Sequence, residues 1–196
     1  MAGRKRQGLY FYERKKKVNF NIFREALMWL LYGAIAAFLA VVLVYAFGTK
    51  VSVIGASMEP GIVSGQSCLI DTITYRISSP QRYDVIAFYP GGNEEVHPYV
   101  KRVVGMPGDT VQIENGVLLV NGIPDISREE YSNIQNAGNA SSEILLQEDE
   151  YFVLGDNPDA SEDSRSASIG AVKLDSVIGK AWLTLPSEDA GMGRIN

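Results

Sequence analysis

The side chains with the most chemistry in this sequence are a serine and a lysine. Ser57 stands in Gly55-Ala56-Ser57-Met58-Glu59-Pro60-Gly61, straight after the strand-like run VSVI and before a Pro-Gly turn. A serine at such a strand end, flanked by small residues, presents a reachable hydroxyl and a backbone N–H free to point at an oxyanion. The same heptapeptide also describes an ordinary turn, because isolated motifs of this length recur by chance. A serine nucleophile needs a base. The single histidine, His97, sits in the polar stretch Glu94-Glu95-Val96-His97-Pro98, where an exposed and dispensable side chain is the simpler reading. Lys101 is the better candidate. In Tyr99-Val100-Lys101-Arg102-Val103-Val104-Gly105, strand alternation puts Tyr99, Lys101 and Val103 on one face, and a lysine among apolar neighbours is out of place. Burial disfavours its charged form and brings the amine down from about 10.4 towards the range where it accepts a proton near neutral pH. The bland alternative is a lysine snorkelling from a strand edge.

These residues need elements to hold them. Ala26 to Phe47 runs ALMWLLYGAIAAFLAVVLVYAF, 22 uncharged and almost wholly apolar residues. At about 1.5 Å per residue such a helix spans a hydrocarbon core of roughly 30 Å. Residues 1–25 carry Arg4, Lys5, Arg6, Arg14, Lys15, Lys16, Lys17 and Arg24 against Glu13 and Glu25. Basic residues on one flank predict a cytoplasmic tail over 1–25, a transmembrane helix over 26–47 and an extracytoplasmic domain over 48–196. Trp29 and Tyr32 near one end, with Tyr45 and Phe47 at the other, fall where aromatic belts form. A cleaved secretory signal competes for this segment, with Val44 and Ala46 meeting a small-residue rule, but its apolar region would be shorter. A polybasic run beside a spanning helix reads as a topology determinant or an anionic-lipid contact rather than a nucleic-acid site.

From Thr49 onward, VSVIG, SCLIDTITY, DVIAFYP, VKRVVG, DTVQIENGVLLVNG, EYFVLGD and VIGKAWLTL read as short strands or strand pairs. Asn115-Gly116 predicts a tight hairpin. The expected fold is mostly β, an antiparallel sandwich or partly open barrel behind one N-terminal transmembrane helix. Residues 126–147 are polar and read as a surface insertion. Asn139-Ala140-Ser141 fits a glycosylation acceptor, a three-residue pattern common by chance. The chain of 196 residues is 46% hydrophobic with a formal net charge of -5, too apolar for a disordered chain. Cys68 is the single cysteine and reads as a small buried hydrophobe. With only His97 beside it there is no Cys/His zinc set, and no metal or cofactor is implied.

The order of motifs is more telling than any one of them. After the apolar helix come Ser57, then Arg82-Tyr83-Asp84-Val85-Ile86-Ala87-Phe88, then Tyr99 to Asp109, then Gly155-Asp156-Asn157 followed by Ser161, Asp163, Ser164 and Arg165. This resembles the bacterial type I signal peptidases, membrane-anchored serine proteases that remove signal peptides, from the anchor to about Trp182. The resemblance implies Ser57 as nucleophile and Lys101 as general base. It implies that Ser161 orients the lysine amine while Asp156, Asp163 and Arg165 brace the site. Met58, Tyr99 and Val100 match positions that line the shallow pocket for a small residue before the scissile bond, with ordinary core packing as the alternative, and the resemblance implies that the small-x-small segment binds as an added strand near Ile54-Gly55 and Tyr99-Val100. Gly55 replaces an oxyanion-donating serine found in some members, as in many Gram-positive ones, and Gly61 and Pro158 are further local departures.

The implied partners are signal peptides of exported preproteins and the lipid bilayer, not nucleic acid. Two other readings compete. A self-cleaving cytoplasmic repressor of similar Ser/Lys chemistry has no need of the apolar helix. A membrane-tethered β domain without catalysis predicts that Ser57→Ala and Lys101→Ala leave function intact. Lys101→Arg separates the base role from mere charge, because a guanidinium cannot accept a proton.

Overall fold

A computed structural model describes residues 20–195, so the basic segment over 1–19 lies outside the described residues. Helix α1, Phe20–Phe47, is 28 residues long with acidic and basic residues absent from its first and last turns. Within it Asn21–Tyr45 is long and apolar enough to cross a bilayer by length and composition. Gly48 closes the helix, its N–H bonding the Val44 carbonyl at 2.8 Å.

The remaining chain is antiparallel β. Its strands are β1 (Thr49–Ser52), β2 (Ser67–Asp71), β3 (Val85–Phe88), β4 (Tyr99–Gly105), β5 (Thr110–Glu114), β6 (Val117–Val120), β7 (Ile123–Pro124), β8 (Ile144–Leu145), β9 (Glu150–Leu154), β10 (Val172–Lys173), β11 (Val177–Thr184) and β12 (Gly193–Arg194). The larger sheet has the order β1-β2-β11-β3-β4-β9-β10, with β12 paired to β11, and the smaller sheet runs β7-β6-β5-β8. This is the mostly β fold that the strand pattern predicts. The hairpin at Asn115-Gly116 forms as expected, with positive φ at both residues, and Asn121-Gly122 repeats the device between β6 and β7.

Two local expectations are corrected. The run SCLIDTITY does not stay extended to Tyr75. Strand β2 stops at Asp71, whose carboxylate takes hydrogen bonds from the Ile73 and Thr74 N–H groups and the Thr74 hydroxyl, winding Thr74–Ile77 into one helical turn, α2. Residues 126–147 are mostly exposed, as a surface insertion is, and the correction is to their polar reading, because four apolar side chains anchor them. Tyr131, Ile134, Ala140 and Leu146 are buried there and join Val104, Val111, Leu118 and Phe152 in one apolar cluster. Polar composition hid this because four apolar anchors, irregularly spaced among exposed residues, leave no period to read.

Strand β4 is the element that matters most for chemistry. Every residue from Val100 to Gly105 is buried. Val100 packs in a cluster with Val51, Val53, Met58, Ile62 and Cys68, whereas Val103 packs with Ile86, Phe88, Tyr151 and Val153. Both faces are therefore covered, and any charged side chain on this strand is carried inside.

Candidate active site

The loop after β1 and strand β4 bring the serine and the lysine together. Val53 is still tied to the neighbouring chain through its N–H to Gln66 and its carbonyl to Gly65, but Ile54 is 72% exposed and the backbone turns away at Gly55 with φ +81°. Only a residue without Cβ takes that conformation without strain. Ser57 then begins a turn and is buried. Its own carbonyl is tied down by the Asn157 N–H at 3.0 Å. From β4, Lys101 places Nζ 2.7 Å from Ser57 Oγ, across 44 residues of sequence.

Lys101 is 5% exposed. Burial pushes its amine down from its ordinary value to about 8, against the upward pull of the Asp163, Glu162 and Asp156 carboxylates. The Tyr99 ring lies beside it, 5.5 Å from Nζ to the ring centre. A buried amine within hydrogen-bond reach of a serine hydroxyl, with a pKa near working pH, can take that hydroxyl's proton.

The surrounding polar groups hold the two chain segments in place. Asp156 receives Arg102 Nε on Oδ1 and Nη2 on Oδ2, both at 2.7 Å, with Arg128 at 3.9 Å. Arg102 also donates to the Tyr83 carbonyl at 2.8 Å. Burial, the largest single influence, would lower the arginine's pKa, but the Asp156 hydrogen bonds together with the charges of Asp156, Tyr131 and Glu130 carry the net direction up. Asp163 receives Arg165 Nε at 2.8 Å and the Gly155 N–H at 3.2 Å. Arg165 reaches on to the carbonyls of Asn136, Pro158 and Ser161, so one guanidinium closes the whole 158–165 loop. Ser161 Oγ is buried and makes no hydrogen bond among the described residues.

A cleft of about 370 Å³ opens beside the pair, lined by Ile54, Ser57, Tyr99, Val100, Lys101 and Glu162 among others. Strand β4 pairs with β3 from Tyr99 to Arg102, yet with β9 only from Arg102 onward. The other edge of Tyr99–Lys101 is thus free of strand pairing, where an extended peptide can add. Met58 is fully buried in the core cluster and is not part of the cleft lining. Arg102, Glu162 and Pro98 escape sequence reasoning, and His97, read from the sequence as exposed and dispensable, lies on the cleft wall. Arg102 was legible in principle, since a second cation in an apolar strand raises the same question as Lys101; the loop residues carry no local signal.

Gly155 sits where the two halves of the site touch. A Cβ there would stand 2.3 Å from the Ser57 carbonyl oxygen and 2.4 Å from Ser161 Oγ. Gly155→Ala is therefore expected to push the serine loop off Lys101, lowering peptide cleavage at least about tenfold while costing about 1–3 kcal/mol of stability. Parallel cleavage assays and thermal melts check this, and a variant as active as the parent overturns it.

The comparisons with known proteins point one way. The family described as signal peptidase, peptidase S26, matches residues 26–185. Signal peptidase IB of Staphylococcus aureus is 29% identical over 174 residues, covering 80% of this chain and 87% of the relative. Signal peptidase I of Bacillus caldolyticus is 34% identical over 137 residues, 64% of this chain and 72% of the relative. A crystal structure of a signal peptidase I from Enterococcus faecalis shares 33% identity, covering 53% of this chain and 97% of that one with a TM-score of 0.39, too loose an overlap to argue from.

Proposed function

The chain belongs to the signal peptidase family, peptidase S26, and from that premise we propose that Ser57 and Lys101 are its catalytic dyad, cutting preproteins after a small-x-small segment. The enzyme is a serine peptidase acting on signal peptides of preproteins, and with one helix among the described residues long and apolar enough to cross a bilayer it is a single-pass membrane protein. The observation that carries the dyad is the 2.7 Å contact between Lys101 Nζ and Ser57 Oγ inside a buried site. In this reading residues 1–25 stay cytoplasmic, 26–47 span the bilayer and 48–196 work outside, as the basic flank favours.

The substrate enters as an extended strand between Ile54-Gly55 and the open edge of Tyr99-Val100, with small side chains entering shallow pockets. Neutral Lys101 takes the Ser57 proton as Oγ attacks the scissile carbonyl carbon. The backbone N–H of Ser57 stabilises the resulting oxyanion, since Gly55 offers no hydroxyl. The tetrahedral intermediate collapses, Lys101 gives its proton to the leaving amine, and the mature protein departs. The signal peptide is left as an ester on Ser57. Lys101 then deprotonates a water, which attacks that ester, releases the signal peptide as a carboxylate and restores the serine. Asp156, Asp163 and Arg165 act by holding the loops. Ser161, whose buried hydroxyl has hydrogen-bonding capacity to spare, is assigned to steady the amine.

A synthetic peptide containing Ala-x-Ala, incubated with the protein in detergent micelles, tests the reading. Mass spectrometry is expected to show cleavage after the second alanine by the parent and not by Ser57→Ala. Because the base works only when neutral, kcat/KM is expected to rise with pH through about 8. Cleavage by both proteins or by neither sinks the assignment, as does a pH profile flat from 6 to 10.

A further inference from the structure

Glu162 lines the cleft that Ser57 and Lys101 share, yet nothing above gives it work. Its carboxylate is held at both ends. The Tyr99 hydroxyl donates to Oε2 at 3.2 Å and the Ser168 hydroxyl donates to Oε1 at 2.8 Å. Among the described residues no lysine or arginine forms an ion pair with it. Its side chain is nevertheless solvent-facing, so the carboxylate is fixed in direction and open to a ligand.

Lys101 feels this carboxylate's charge, which pulls its proton affinity up, but makes no salt bridge with it. The amine is bonded to Ser57 and acts as a base only without its charge. With Lys101 neutral, Glu162 supplies the one negative charge among the cleft-lining side chains. Asp159 lines the adjoining pocket with Glu162, and the Arg165 guanidinium in that pocket is paired with Asp163 rather than with Glu162.

The same Tyr99 that holds Glu162 also flanks the Lys101 amine, 5.5 Å from its ring centre. Through that ring the carboxylate lies roughly 14 Å or less from the reacting serine, within reach of a long side chain placed about three residues along an extended chain.

We propose that Glu162 is a specificity-determining residue, selecting preproteins that carry a lysine or arginine within about three residues of the scissile bond over those carrying an acid there. This rests on the protease reading. Because Tyr99 and Ser168 orient the carboxylate beforehand, the substrate cation bears little of the ordering cost. An acidic side chain at the same place meets like charge, which widens the gap between the two substrates.

The test uses the full chain in detergent micelles and one Ala-x-Ala peptide, with Lys, Gln or Glu placed singly at each other position from three before to three after the cut. The readout is the ratio of kcat/KM for the Lys and Glu peptides at each position. At one position at least, the parent is expected to favour Lys about tenfold. Glu162→Gln is expected to bring that ratio near one and Glu162→Lys to invert it. A general loss of activity in a variant cancels, because both peptides meet the same protein. Ratios unchanged at every position in both variants overturn the proposal and leave the protease reading standing. Ser57→Ala cleaving as fast as the parent overturns both.

Discussion

Lys101→Met is expected to abolish cleavage and, at neutral pH, to stabilise the protein. The two effects have one cause. In the folded chain the amine loses its proton near pH 8, whereas an unfolded lysine keeps it to about 10.5. Below pH 8 both states are protonated, so folding drags a cation out of water and forfeits stability. Between about 8 and 10.5 the unfolded state holds more protons, so the stability of the parent rises with pH, by at most about 3 kcal/mol from this group. Methionine has similar length and no charge to bury. It surrenders the hydrogen bond to Ser57, worth about 1 kcal/mol, and the net gain at pH 7 is expected to be about 1–2 kcal/mol. Activity moves the opposite way. Removing a general base costs about 100- to 10,000-fold, and a dyad acts as a unit, so Ser57→Ala combined with Lys101→Met should be no worse than either alone. Peptide cleavage and thermal melts between pH 6 and 10, on parent and variants, read both effects. Cleavage within tenfold of the parent removes Lys101 from the mechanism, and a lowered melting temperature at pH 7 contradicts the burial argument.

Arg102→Met is expected to be the most destabilising single change at the site. Arg102 and Asp156 are 3% and 2% exposed and joined by two bonds of 2.7 Å. Removing Arg102 leaves a carboxylate in a place that water barely reaches, with Arg128 at 3.9 Å as its remaining cation, which costs about 3 kcal/mol. It also strands the Tyr83 carbonyl that Arg102 holds. The double variant Arg102→Met with Asp156→Leu removes both charges and should recover much of the loss. Denaturant titration of the two single variants and the double one measures the coupling between them. Single variants within 1 kcal/mol of the parent show that the pair is not the brace assigned to it. Activity should fall with Asp156 in particular, because the next residue, Asn157, holds the Ser57 carbonyl through its backbone N–H.

Much of the candidate site is legible in the sequence. Ser57 was marked by a strand end among small residues, and Lys101 by being a cation in an apolar strand. The Gly155-Asp156-Asn157 segment marked the loop that meets them. Arg102 stood in plain view but had no visible partner, because Asp156 lies 54 residues away. Glu162 had no signal at all. It is an acid in a polar loop, and only the Arg165 clamp on the carbonyls of Pro158 and Ser161 folds that loop against Tyr99. Met58 illustrates the converse. The resemblance matches it to a substrate-binding position, with core packing as the alternative, and the turn after the serine directs its side chain into the core.

The sequence by itself determined the apolar helix, the antiparallel β character and the Asn-Gly hairpin. Each follows from the spacing of apolar residues or from the φ preference of one or two residues, which are properties of neighbours along the chain. Tertiary structure decided the rest. That both faces of β4 are covered, that Arg102 finds Asp156, that residues 126–147 pack inward and that the edge of Tyr99–Lys101 stays open all depend on segments tens of residues apart. Burial and charge pairing set the lysine's proton affinity, and both come into being only when those distant segments close around it.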